Sequence, residues 1–286
     1  MSTRRSQQTR NVAASGGSLE AADGGKGQSS SSGARPGPSP GPGEALTPAM
    51  LRERWSKMTD SPSVLGFYGH SRGEYRCFSN FYDQKGEPFD FHVPASFLSG
   101  LGQNVPHVVS CNFSEKAIML CKAAVMGDVE AYMQIVRSAD PRKAKALGRG
   151  VRGFVPQLWD SVVCSVAFEV VHQKFSKTPS IQRVLLRTGK RLIAEATMND
   201  ANWGIGINTG DPRVQRPAEW EGSNILGWAL MEARDALRRC ERAPLGQEAM
   251  TTVIDLEESA SGPHASEETT QTKDEPRPSK RRWQKR

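Results

Sequence analysis

Large apolar side chains are almost missing from both ends of this chain, which confines folding to its middle. Residues 1–45 carry nearly none, and the run SSSSGARPGPSPGPGE cannot bury enough surface to offset its conformational entropy. Residues 241–286 are polar in the same way and end in a basic segment. The composition therefore predicts a disordered or linker stretch over 1–59, one folded domain over 60–240 and a disordered tail over 241–286. A unit of that length is an ordinary single-domain size.

The folded stretch is mildly basic. Residues 61–240 hold 22 Lys and Arg against 17 Asp and Glu, a net of +5 (22 minus 17). That balance suits a phosphate-bearing ligand but falls short of a dedicated DNA-binding surface. The five cysteines (Cys77, Cys111, Cys121, Cys164 and Cys240) are an odd number with wide gaps and no C-x-x-C pair, so free thiols and an intracellular protein are expected. The opening MSTRRSQQTR leads into no apolar run, and no uninterrupted apolar stretch approaches membrane-spanning length.

Read in order, residues 46–58 predict a short amphipathic helix capped by Thr47 with Pro48 in its first turn, either packed on the domain or free as a linker. VLGFYG (64–69) reads as a strand. PFDFHV (88–93) and HVVSCNF (107–113) read as two more, joined by a Gly/Ser/Asn loop over 95–106. Ser114 stands where a helix N-cap belongs, and Gly127 ends that helix. Asp128 opens a second helix, and Asp140-Pro141 a third that Gly148 closes. A longer helix begins near Pro156, and a short one ends at Gly189. RLIAEAT predicts a late strand. The last helix starts at Asn224, with Ile225, Leu226, Ala229, Leu230, Ala233 and Leu237 as its core stripe. Strands, then helices, then a strand and a closing helix give an α+β domain, mostly helical with a small sheet. There is no P-loop, dinucleotide fingerprint or G-x-S-x-G elbow.

The stretch EATMNDANWGIG, Glu195 to Gly206, concentrates two carboxylates, an Asn-Asp pair, a Trp and two glycines in twelve residues. A tight turn held by an Asx-type bond from Asn199 or Asp200 fits it, and so does a ligand-facing loop. Glu115 and Lys122, seven residues apart, share one helix face two turns apart, too far for a simple surface pair. Glu115 also fits as a first-turn acid favoured by the helix dipole. Arg149 follows Gly148 at a tight corner, as a phosphate clamp or a solvated cation. Phe78-Ser79-Asn80-Phe81 reads as a core staple with a polar turn or as a wall of a ligand site. His172 reads as structural.

Seven blocks then resemble, in order, one known family. They are FSNF (78–81), SEKAIMLCKA (114–123), KAKALGRGVRGF (143–154), Trp159, KF (174–175), LIAEATMNDANWGIG (192–206) and WEGSNILGWALMEAR (220–234). Together they resemble the NADAR (NAD and ADP-ribose) superfamily over about residues 64–238. The resemblance implies a compact YbiA-like α+β domain and a metal-independent N-glycosidase that needs no cofactor. It implies a polar pocket of Asn80, Glu115, Lys122, Arg149, Lys174, Glu195, Asp200, Trp203 and Asn224. Glycines 148, 204, 206 and 227 match as backbone positions. Cleaving an N-glycosidic bond builds positive charge at the anomeric carbon, so it needs a carboxylate and a proton donor for the departing base. Glu115 and Asp200 are the expected catalytic acids. Lys122, Arg149 and Lys174 are the expected phosphate-binding cations, and Trp203 offers a stacking face.

The family's branches cleave riboflavin-pathway phosphoribosylamino-pyrimidines or remove ADP-ribose from guanine in DNA. Lys116-Ala117-Ile118 and Ile205 depart from the first branch, so ADP-ribosylated guanine in nucleic acid is the expected substrate. A non-catalytic ADP-ribose or NAD reader is the alternative from another class, and an N-glycosidase on riboflavin intermediates is the alternative enzyme. Two tail segments add to this. TTVIDLEESA (251–260) resembles a SUMO-interacting motif, with Val253, Ile254 and Leu256 positioned to extend a sheet edge and acids alongside. Residues 277–286 hold six Lys and Arg in ten and read as a nuclear-localisation or nucleic-acid segment. Both point to a nuclear protein.

Overall fold

The computed structural model describes residues 45–59 and 62–242. The segments at 253–258 and 277–286 lie outside them. Eight α-helices and four short strands are described, in an α+β arrangement that is mostly helical. The strands form two separate two-stranded sheets rather than one small sheet. β1 (Val64–Phe67) pairs in parallel with β4 (Leu192–Glu195), and Phe67 lies opposite Glu195. β2 (Phe89–His92) pairs antiparallel with β3 (Val108–Cys111). Among the described residues no helix is long and apolar enough to cross a membrane.

α1 (Pro48–Ser56) starts as its sequence directs, with the Thr47 side chain accepting from the Met50 amide. It is no linker. Leu51 and Trp55 are buried in the core, and the Trp55 indole donates to Ser223 O at 2.8 Å. The folded unit therefore reaches back before residue 60. The loop between β2 and β3 carries one helical turn, α2 (Ala95–Leu98). α3 (Ser114–Val125) takes Phe113 as its cap residue, so Ser114 is the first helical residue, not the cap. Its hydroxyl is buried with no partner. Asp128 caps α4 (Val129–Val136) through Ala131 N, and Asp140 caps α5 (Pro141–Arg149) through Lys143 N.

Gly148 does not close α5. It lies inside the helix against Met119, and Gly150 follows the last turn. With the buried Ala144 one turn earlier, it gives α5 a small-residue face that packs closely on α3. α6 (Pro156–Lys177) is apolar on two sides because it separates two cores. Val163, Cys164, Ala167 and Val171 face the core of β1, β4 and α8 (Ile225–Arg242). Val166 and Val170 face the core of β2, β3 and α3. Trp159 and Trp203, both half-buried, pack against both. α7 (Pro179–Leu186) leads into β4. All six residues expected in the α8 stripe are buried.

Candidate active site

The stretch around Glu195 is a self-closed loop at the C-terminal end of β4. Asp200 Oδ1 accepts from the amides of Asn202 and Trp203, the Asx-type turn expected from the sequence. Ile205 N returns to Glu195 O at 2.9 Å, and Gly204 N to Asp200 O at 3.1 Å. A Cβ on Gly204 would meet those same two oxygens at 2.6 and 2.9 Å, so the loop closes only around glycine. The carbonyls of residues 201–204 then receive the amides of residues 223–226, the last two of which open α8. The loop thus caps that helix while holding Glu195, Asp200 and Trp203 at its rim.

Asn224 holds the loop from beneath. Its Oδ1 accepts from Glu195 N at 3.1 Å and its Nδ2 donates to Ile193 O at 2.8 Å, which completes the free edge of β4. It is fully buried and is the one non-glycine of positive φ among the described residues. Asn224 was expected to touch substrate; its side chain is instead committed to the strand. Lys174 differs from expectation in the same way. It is fully buried on α6 and donates to Cys77 O (2.7 Å) and Ser79 O (3.3 Å), and burial pulls its pKa down to about 8. It fixes the backbone before Asn80 rather than reaching a phosphate.

Asn80 is well placed by that support. Its carbonyl accepts from Glu115 N at 3.0 Å, which ties the FSNF loop to the start of α3, and its buried Oδ1 has no partner. Glu115 is buried beside it. Burial pushes the Glu115 carboxyl up to about 7; Lys145, Arg149 and Lys122 oppose the rise, and the like charge of Asp200 adds to it. Burial also pushes Glu195 up to about 8, with Asp200 and Glu115 adding to the rise and Lys145 opposing it. Among the described residues neither carboxylate forms an ion pair. Three acids that feel one another cannot all ionise cheaply, so the cluster keeps a proton near neutral pH.

The cations come from α3 and α5. Burial lowers the Lys122 pKa, the like charge of Arg149 adds to the fall, and Glu115 resists it. The Lys122 ammonium lies 4.2 Å from the Phe154 ring centre and 5.9 Å from that of Trp159. Lys145 is the residue that sequence reasoning passed over. Its charge acts on both Glu115 and Glu195, and its Nζ lies 5.2 Å from the Phe81 ring centre. The available signal was its place four residues before Arg149, on the same helix face. Phe154 was likewise passed over. The cluster so assembled holds Asn80, Glu115, Lys122, Lys145, Arg149, Glu195 and Asp200, with Trp159 and Trp203 at the junction of the two cores. Among the described residues no group of three His, Cys, Asp or Glu is placed to hold a metal ion. His172 stacks on Phe168, with ring centres 5.4 Å apart.

Residues 66–238 match the NADAR domain. The chain belongs to the NADAR family. The match takes in β2, β3, β4, the end of β1 and every residue of the cluster. An N-glycosidase of Acanthamoeba polyphaga mimivirus, R617, is 37% identical over 149 residues, 51% of this chain and 85% of that protein. Protein irg-1 of Caenorhabditis elegans is 32% identical over 162 residues, 56% of this chain and 74% of that protein. The solution structure of the Escherichia coli protein YbiA aligns with a TM-score of 0.48 at 23% identity, over 66% of this chain and 94% of that one. In this NADAR domain, Lys116-Ala117-Ile118 and Ile205 are all buried, and Lys116 donates to Ser110 O at 3.0 Å.

Proposed function

We propose that this protein is an N-glycosidase that removes ADP-ribose from modified guanine in nucleic acid. The observation that carries the reading is the acid cluster, in which Glu115 and Glu195 are both raised towards neutrality beside Asp200 and under three cations. The name of the mimivirus relative supports the reaction type. The bond that breaks joins the anomeric carbon to the base nitrogen, and its electron pair leaves with the base. A protonated carboxyl, chiefly Glu195 with the higher pKa, gives a proton to the departing base. A second carboxylate, Glu115 or Asp200, stabilises the oxocarbenium-like carbon and takes a proton from the attacking water, whose oxygen bonds to that carbon. Lys145, Arg149 and Lys122 supply the positive field for phosphate groups.

The test compares wild type with Glu115→Gln on a guanine-ADP-ribosylated oligonucleotide and, separately, on a phosphoribosylamino-pyrimidine, with products read by mass spectrometry. Release of ADP-ribose from the oligonucleotide, lost in the variant, is the expected result. Cleavage of the small molecule alone would replace the substrate assignment. ADP-ribose binding without cleavage of either would make the domain a reader. Nuclear placement, and SUMO binding through Val253, Ile254 and Leu256, belong to the same proposal. Deleting 277–286 should move the protein out of the nucleus, and Ile254→Lys should abolish SUMO capture.

A further inference from the structure

A cavity of about 600 Å³ lies apart from the three carboxylates, none of which lines it. Its walls are the loop from His70 to Glu87, the start of α5 and the junction of α6 with α7. That volume suits a nucleoside phosphate. Two of its acids are already occupied: Asp140 caps α5, and Glu87 accepts from Ser180. The side chains of Lys85 and Arg142 make no hydrogen bond or ion pair among the described residues, and Asp83 is the remaining acid on the wall. Gln84, 4% exposed, gives its amide nitrogen to Glu87 O (3.1 Å) and Thr178 Oγ1 (3.0 Å). Its Oε1 has no partner.

Phe81 relates the cavity to the acid cluster. It lines the cavity, and Lys145, whose charge acts on Glu115 and Glu195, lies over the Phe81 ring. Arg142, Lys145 and Arg149 stand at i, i+3 and i+7 on α5 and so share one face. From Arg142 to Arg149 is roughly 10 Å along the axis at about 1.5 Å per residue. A line of cations therefore runs from the cavity to the carboxylates, over a length that suits linking phosphates.

We propose that this cavity is a second subsite, for a nucleoside joined through phosphate to the ribose that reacts at the carboxylates. The proposal rests on the N-glycosidase reading for the fate of that ribose, not for the occupant of the cavity. The base packs on Phe81 or Tyr82, while its phosphate meets Arg142 and Lys145. The nucleoside is either the far half of a pyrophosphate-linked dinucleotide or the neighbouring nucleotide of a strand.

Calorimetry with adenosine 5′-monophosphate on the full chain tests this without any bond being cleaved. Wild type should bind. Ser71→Trp, which fills the cavity from an exposed loop, and Arg142→Glu should each weaken binding by about tenfold or more. Circular dichroism confirms that each variant is folded. Failure of wild type to bind at millimolar nucleotide, or binding indifferent to both cavity variants, overturns the assignment. Displacement by ADP-ribose identifies the dinucleotide source, and displacement by a single-stranded trinucleotide the strand. If neither competes, the link to the reacting ribose is overturned. A protein that binds the nucleotide in this way yet cleaves nothing would refute the glycosidase reading and leave the cavity assigned. A glycosidase whose Ser71→Trp variant still binds normally would do the reverse.

Discussion

Replacing Glu195 by Gln should stabilise this protein at high pH while removing its catalysis. The carboxyl is raised from 4.5 to about 8, chiefly by burial. The folded state therefore binds more protons than the unfolded chain between those values, and stability falls as pH rises from about 4.5 through about 8. A shift from 4.5 to 8 corresponds to roughly 4–5 kcal/mol when the group is fully ionised, at about 1.4 kcal/mol per unit. Relaxation and water entry reduce it, so a penalty of about 2–4 kcal/mol at pH 9 is the working figure. Glutamine keeps the shape, carries no charge and leaves the Asn224 bond to the residue 195 amide in place. The assay is thermal and urea unfolding of both proteins from pH 5 to pH 9. The variant should match wild type at pH 5 and melt several degrees higher at pH 9, at about 2–4 °C per kcal/mol for a domain of this size. Equal pH dependence in the two proteins would refute the argument that burial holds this carboxyl protonated.

The same cluster predicts a rate that declines as pH rises through about 8, because the proton donor is then lost; Glu115→Gln should lower kcat by about 10²–10⁴-fold in a single-turnover assay. Lys174→Met should cost about 2–4 kcal/mol in urea unfolding, since Cys77 O and Ser79 O lose a buried donor. Asp128→Ala should cost about 1–2 kcal/mol through the lost α4 cap. Because its folded pKa is lowered to about 2, with the Arg152 bond as the largest cause, that difference should hold above about pH 4 and shrink as pH falls towards 2. Gly227→Ala should prevent folding or cost more than about 3 kcal/mol, as its Cβ would drive into Ile193 O and the Asn224 amide; the yield of soluble protein and its melting temperature check it.

What the sequence determined by itself was local. Thr47-Pro48, Asp128 and Asp140-Pro141 announce three helix starts, and each cap forms because its bond closes within three residues. The α8 stripe follows from the helical period alone. The blocks from FSNF to WEGSN located the family for the same reason, since each is a contiguous run of residues. Only the tertiary structure decided the rest. Trp55 enters the core through Ser223, 168 residues away, so α1 is part of the domain. Lys174 reaches Cys77 across 97 residues and becomes scaffold rather than phosphate ligand. Asn224 is absorbed by the edge of β4, and β1 pairs with a strand 128 residues later. Lys145 joins the carboxylates because Ala144 and Gly148 let α5 lie close on α3. The titration of Glu115 and Glu195 depends on burial and on charges from separate helices and loops, and these are set by contacts between distant segments that periodicity and capping do not encode.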